Sequence, residues 1–473
     1  MSIRISEKFT FTGLIKFSLP AIFMILLTSL YTAVDGVFIS RFVGSDALSA
    51  VNIILPIDGI MCGIAIMFGT GGSAIIGKKL GEGNIKEAKE NFSLITVAAA
   101  VFGFILTVFL MVFMESVLRF LGASNRLLPY CMDYGRILFL FAIPYILQVM
   151  FNLLFVTAGK SKLALIVTVI SGVMNLVLDY LFIVPLNMGI AGAAWGTAIS
   201  RLFGGLFPVF YFIFYRSGLC FNRSKLDWAV MGAAMFNGSS EMVSNLATSV
   251  TTFLFNITMM ELLGEEGVAA MTIVLYTVFV YTAVYLGFAN SAAPIISYNY
   301  GSKDIPYLKK IFFYCLIFTS VSSAVMLLIT FLTAKTMIVM FVEYGTFVYD
   351  LAYHGYQIFA WNFLFAGINI FSSALFSAFS NGKVSATISF LRTLVFIVGA
   401  LLILPKLFGV DGLWLAVPAA EFLTFIIVIP LLIVYGKKGI IICNSFTKHR
   451  NGGKHDYHQS AGFLPVLYSG FLY

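Results

Sequence analysis

Charge is what this sequence has least of. Only 11% of its 473 residues are Asp, Glu, Lys or Arg, against about 25% in an average soluble domain. Hydrophobic residues make up 60%, and the mean hydropathy is +0.98. A soluble chain of this length could not hide so much apolar surface. Short segments of alternating polar and apolar residues are also missing, which excludes an outer-membrane type of β-barrel. Long uncharged runs remain, and they define an all-α polytopic membrane protein.

Signatures of chemistry are equally sparse. The five cysteines, Cys62, Cys131, Cys220, Cys315 and Cys443, are scattered and never fall at metal-ligand spacing, so they read as small packing residues or free thiols. Of the four histidines, His354 stands alone, and His449, His455 and His458 sit in a polar tail. No nucleophile, base or metal set emerges, so neither an enzyme nor a cofactor is expected. The stretch "GTGGSA" (69–74) continues an apolar helix with no strand before it and no "GK[ST]" after it. It reads as close helix packing by small residues rather than a phosphate loop. Without a Walker motif, transport driven by ATP would need a partner. The first apolar segment starts after Lys16, runs about 24 residues and lacks a small-residue cleavage pattern. It reads as a spanning helix, not a signal peptide.

Breaking the chain at polar clusters gives about twelve spans: 15–39, 48–76, 92–114, 136–157, 163–184, 190–215, 239–260, 267–297, 308–332, 353–378, 385–404 and 411–435. The expected organisation is an N-terminal lobe of six helices (1–215), a cytoplasmic linker (216–238), a C-terminal lobe of six helices (239–436) and a disordered tail (437–473). Sorting Lys and Arg by alternate loops puts 21 on one side, the N-terminus and tail included. The other side takes five, Arg41, Arg119, Arg126, Lys335 and Lys406, while Arg136, Arg201 and Arg392 lie in spans. That asymmetry puts both termini in the cytoplasm. It also explains the net charge of +8 without nucleic acid.

The two lobes repeat. "FVGSDALSAVNI" (42–53) lies over "LLGEEGVAAMTI" (262–273), and "SAIIGKKLGEGN" (73–84) over "APIISYNYGSKD" (293–304). "LFIVPLNMGIAG" (181–192) lies over "LLILPKLFGVDG" (401–412). One constant offset aligns all three blocks. Each repeat holds about six spans, an even number, so both enter the membrane in the same sense. The lobes are then related by an axis along the membrane normal, with a substrate path between them.

Ionisable residues inside spans are functional candidates, and their spacing sharpens the choice. Thr168, Ser171, Asn175 and Asp179 recur at three- and four-residue steps and form one polar face. Thr28, Thr32 and Asp35 do so in span one. Glu241, Asn245, Thr248 and Thr252 do so in span seven, and Asn362, Asn369 and Ser373 in span ten. All four faces should point into the bundle. Counting from Lys162 to Asp179 and from Lys16 to Asp35 puts both acids roughly 25–28 Å above the cytoplasmic edge. Two carboxylates at one height, with Asn175 a turn below, make a candidate site whose mutual repulsion a proton or Na⁺ would relieve. Other readings of these acids are pairing of Asp35 with Arg41 and a helix-packing hydrogen bond for Asp179. Asp58 and Arg201 lie at similar depth and either pair or contact substrate; Arg392 and Glu421 could pair likewise. Gln148 and Asn152, one turn apart, and Glu241, early in span seven, are further candidates for lining a substrate cavity.

"FSLPAIFMILLTSLYTAVDGVFISRFVG" (17–44), "MNLVLDYLFI" (174–183) and "GIAGAAWGTAIS" (189–200) resemble the multidrug and toxic compound extrusion (MATE) transporters. Together with the repeat, the resemblance covers roughly residues 12 to 435. It implies a monomeric antiporter of the plasma membrane that exports small amphipathic cations in exchange for Na⁺ or H⁺. It further implies an N-lobe cation site on Asp35, Asn175, Asp179 and Thr197, the last of which only the resemblance singles out. Some members place an acid deeper in span seven than Glu241 stands here. A flippase or exporter of a lipid-linked metabolite is the rival reading. It would favour a basic central cavity, whereas acids here exceed buried bases. A channel is a third reading, against which the two-lobe repeat argues.

Overall fold

The computed structural model describes residues 5–215, 218–339 and 341–448. Arg216, His449, His455 and His458 lie outside the described residues, as does the side chain of Thr32. Residues 1–429 form one compact unit and residues 430–473 a second.

All regular structure among the described residues is helical. The helices are α1 (Phe11–Phe42), α2 (Ser45–Gly81), α3 (Ile85–Val112), α4 (Met114–Phe120), α5 (Leu128–Leu140), α6 (Ala142–Thr157), α7 (Ser161–Ile183) and α8 (Gly189–Phe214). They continue as α9 (Trp228–Ser302), α10 (Ile305–Val339), α11 (Phe347–Phe359), α12 (Phe363–Ala378), α13 (Gly382–Phe390), α14 (Ile397–Phe408) and α15 (Val410–Lys448). Among the described residues, eleven segments are long and apolar enough to cross a membrane, and the pair α5/α6, bent by 57°, makes up to twelve. Polar residues mark the starts: Thr10 and Asn84 side chains accept from Gly13 N (3.1 Å) and Glu87 N (3.3 Å), which satisfies amides the first turn leaves unbonded.

Three expected boundaries move. The span expected at 136–157 begins at Leu128 and is broken at Phe141. The linker expected to run to residue 238 ends earlier, because Asp227 caps α9 through Ala229 and Val230 and the helix starts at Trp228. Hence Gly238 and Glu241 lie inside a helix, with Glu241 several turns past its start. The polar tail expected from 437 is helical as far as Lys448. At the starts of α5 and α9 and along the end of α15, polar residues that broke the hydropathy pattern did not break the backbone hydrogen bonding.

The repeat is visible in the backbone. α9 is two helices joined at Gly264, which has φ 66°. Its counterpart in the first lobe, Gly44, joins α1 to α2 at φ 121°. Gly189 and Gly409, equivalent at the same offset, both have φ 58°. These left-handed positions favour glycine, which lacks the Cβ that would clash. The two copies therefore turn in the same places.

Candidate functional site

The polar face expected on α7 is buried. Thr168, Ser171 and Asn175 are at most 4% exposed, and Asp179 is fully buried. The chain folds this way because the other faces of α7 carry exposed Ile166, Val173 and Val177, which suit lipid. The polar stripe is left to face α1 and α8.

There the four residues come together. Asn175 Nδ2 donates to Asp179 Oδ2 at 3.0 Å and to Thr197 Oγ1 at 3.3 Å. Thr197 is held on α8, and Ser200 Oγ donates to its carbonyl at 2.8 Å. Asp35, from α1, brings its carboxylate within hydrogen-bonding reach of that of Asp179. It does not turn to Arg41, whose side chain is exposed. Asp35 Oδ1 and Asp179 Oδ1 are buried and receive no hydrogen bond from the described residues. One glycine, which sequence reasoning missed, makes room: a Cβ on Gly196 would stand 2.1 Å from Asp179 Oδ1. It lies in "GAAWGTA", next to Thr197, and only the facing helix reveals why no side chain fits there.

Two like charges this close are unstable without a third group. At about 4 Å and an effective dielectric of about 20, the repulsion is about 4 kcal/mol. A proton shared between the carboxylates removes it. So does a small cation, for which the carboxylate pair and the Thr197 hydroxyl offer oxygen ligands of the kind hard cations prefer, while the Asn175 amide nitrogen holds Asp179 Oδ2 and Thr197 Oγ1 in place.

Asp58 and Arg201 are already committed to each other. Arg201 Nη2 donates to Asp58 Oδ2 at 2.9 Å, and Nη1 lies 2.8 Å from Oδ1. The guanidinium also stacks on Tyr145, 3.8 Å from the ring centroid. Tyr145 was not legible as a partner, since cation–π contacts leave no spacing signature. Gln148 is buried against Gly204, where a Cβ would stand 2.6 Å from its amide, and Asn152 is half-buried on α6. Thus the N-lobe candidates fall into two groups, a matched ion pair and an unmatched acid pair.

Glu241 sits elsewhere. With Thr70, Ser73, Asn290 and Ser377 it lines a cavity of about 20 Å³ between the lobes, room for a water molecule. Ser373 Oγ donates to Glu241 Oε1 at 3.1 Å. Behind it Ser373, Ser385 and Ser389 form a buried hydroxyl cluster with spacings of 2.9–3.0 Å. The i, i+4 spacing of Ser385 and Ser389 could have announced this cluster. Of the span-ten face, Asn362, Asn369 and Ser373 are all buried as expected. The span-seven face departs from expectation: Thr248 is exposed, and the packed positions there are Ala247 and Thr251. Arg392 and Glu421 pair, with Nε donating to Oε1 at 2.8 Å, and Asn369 Nδ2 donates to Glu421 Oε2 at 2.7 Å.

Comparison with known proteins places this arrangement. A family model described as MatE matches residues 20–181 and 242–402. The chain is similar to the multidrug export protein MepA of Staphylococcus haemolyticus, with 26% identity over 438 residues, 91% of this chain and 94% of that protein. Among solved structures it is similar to an outward-facing multidrug resistance MATE family transporter of the MOP superfamily (TM-score 0.85, 20% identity, 93% of this chain and 98% of that one). It is equally similar to a MATE crystallised in complex with MaL6 (TM-score 0.85, 20% identity, 91% and 96%).

Proposed function

The chain belongs to the MatE family, and from that premise we propose that it is a secondary active exporter of small amphipathic cations, coupled to Na⁺ or H⁺ at the Asp35–Asp179 pair. The observation that carries the proposal is that each of two neighbouring carboxylates, Asp35 and Asp179, has a buried oxygen without a hydrogen-bond donor among the described residues. Such a pair costs free energy while both acids are charged. Binding a proton or Na⁺ from outside relieves that cost, and releasing it inside restores the repulsion. If the site is reachable from one side at a time, the downhill cation drives the cycle in one direction.

The central cavity supports a cationic substrate over an anionic headgroup. Arg201 is matched by Asp58 and Arg392 by Glu421, whereas Glu241 faces the inter-lobe cavity with a serine for its partner. The balance there is acidic. The Lys and Arg count supports an orientation with the basic loops in the cytoplasm; the proposed state is a monomer in the plasma membrane.

The test is transport in proteoliposomes with imposed gradients. An ethidium-like cation should be expelled when a Na⁺ gradient or a pH gradient is applied, and only one of the two should drive it if coupling is specific. Efflux indifferent to both would overturn the antiport reading.

A further inference from the structure

The Lys/Arg-rich end of the bundle is closed by backbone packed on backbone, and the contacts obey the repeat. A Cβ on Gly81 of α2 would stand 1.8 Å from the carbonyl oxygen of Tyr298 of α9. A Cβ on Gly301 would stand 2.0 Å from the carbonyl oxygen of Lys78. The offset that relates the lobes turns Gly81 into Gly301 and Lys78 into Tyr298, so each contact is the mirror of the other. Between them Gly77 faces its own counterpart, Ser297, with only 3.0 Å from a built Cβ to Ser297 Cβ. A residue meeting its own equivalent marks the pseudo-two-fold axis, as in the self-complementary interface of a dimer. A second close pair, which the offset does not relate (it turns Gly71 into Ser291 and Gly238 into Ser18), joins the same two helices: a Cβ on Gly71 would stand 1.9 Å from Ala234 O, and one on Gly238 1.9 Å from Met67 O.

The same end carries a strap. Phe9 N donates to the Tyr307 hydroxyl, and Lys8 Nζ lies 3.1 Å from Asp304 Oδ2. Phe9 is buried although it precedes the first helix. The N-terminal segment of one lobe is thereby tied to the α9–α10 turn of the other.

We propose that these reciprocal glycines form the cytoplasmic barrier of the transport cycle, a clasp whose backbone fit sets the balance between closed and open states at this end. This deepens the export reading, on which the word cytoplasmic rests. The physical reason is that carbonyl oxygens cannot retreat as flexible side chains can. One methyl group on any of the four clashing glycines must move whole helices apart, whichever lobe carries it. Packed interfaces of this kind are bistable rather than continuously deformable. Most close contacts in a helix bundle would loosen locally; this one loosens both lobes together.

Hydrogen–deuterium exchange on the full chain in lipid nanodiscs tests it, reading the segments 75–81 and 295–301. Gly81→Ala and Gly301→Ala should each raise exchange in both segments by about tenfold, a shift in local opening, while α7 keeps its protection. Gly77→Ala meets Ser297 Cβ at 3.0 Å and the Pro294 carbonyl oxygen only at 3.4 Å, so it should open the same two segments less; it keeps the test decisive if the larger clashes unfold the protein. Gly232→Ala, on α9 with nothing within 4 Å of a built Cβ, should behave as wild type. Exchange that rises only in the mutated helix, that does not rise in either helix, or that rises equally in Gly232→Ala overturns the clasp. Exchange is read without transport, so failure of coupled efflux in the wild type would sink the export reading and leave this result standing.

Discussion

The two lobes share a backbone plan and differ in what they do with charge. Position 201 of the first lobe corresponds to position 421 of the second, and where the first has an arginine the second has a glutamate. Each is matched: Arg201 by Asp58 and Glu421 by Arg392. Both lobes thus carry one neutralised ion pair in a spanning helix. Among the described residues, only the first lobe adds an unmatched acid pair. The counterparts of Asp35, Asn175, Asp179 and Thr197 are Phe255, Val395, Gly399 and Val417, none of which can hold a proton or a cation. A repeated scaffold therefore fixes where buried charge can sit, while single residues decide whether it is settled or left available. The available pair is where coupling is expected.

The largest effect that sharpens this contrast is Asp179→Asn. It keeps the shape and the partners Asn175 and Thr197 but removes the charge that attracts a cation. Gradient-driven efflux should fall to that of protein-free liposomes, while thermal unfolding stays at or above the wild-type temperature because the repulsion with Asp35 is gone. Wild-type efflux in this variant would reduce Asp179 to a packing residue and erase the difference between the lobes.

The second lobe should answer in the opposite way. Arg392→Met leaves Glu421 buried, at 3% exposure, with only Asn369 as a partner. Stability should drop by about 3 kcal/mol, the usual cost of removing one member of a buried pair. Adding Glu421→Leu should recover most of it, since two apolar residues of similar volume replace an ion pair at little cost. A melting temperature recorded for the single and double variants decides the matter. If the single variant unfolds no earlier than wild type, the pair is not settling charge and the lobes are more alike than their geometry implies.

A smaller effect is expected at Thr197→Ala. The variant removes one hydroxyl from the site, a change of about 1 kcal/mol. The cation concentration needed for half-maximal efflux should rise about fivefold with the maximal rate kept. A change of rate without a change of affinity would mean that Thr197 positions α8 and does not face the cation. Val417→Thr in the second lobe should change neither.

The comparison also marks what a sequence can tell. The helices, the repeat and the polar stripe on α7 were legible because lipid imposes long apolar runs, and an i, i+3/i+4 pattern shows one face. The height of Asp35 and Asp179 followed from counting residues, and the structure brings them together. Thr197 had no such signal; only the family resemblance pointed to it. Close packing at "GTGGSA" was legible from its small residues, but Gly196, Tyr145, Gly81 and Gly301 were out of reach for a different reason. Their roles depend on what the facing helix presents, and the crossing of two helices is not written in either one alone. The serines behind Glu241 sit between these cases, regularly spaced but on two helices.

The smallest expected effect concerns the strap between the lobes. Lys8 beside Asp304 holds that carboxyl below its ordinary value of 3.8. A depressed acid stabilises the state in which it is paired at every pH above its ordinary value, and that contribution is lost as the pH falls through the lowered one. The tie should thus be constant near neutrality and weaken only in strong acid. The pair is largely solvent-exposed, so salt should weaken it too. Exchange at the α9–α10 turn, compared between wild type and Asp304→Asn, isolates this carboxyl from the other acids that titrate in the same range. The two proteins should differ slightly at pH 7 in low salt and converge both in strong acid and at molar salt. A difference that persists under both conditions would assign the strap to the Phe9–Tyr307 contact alone. The tie between the lobes would then rest on packing, and charge would have no part in it at this end of the molecule.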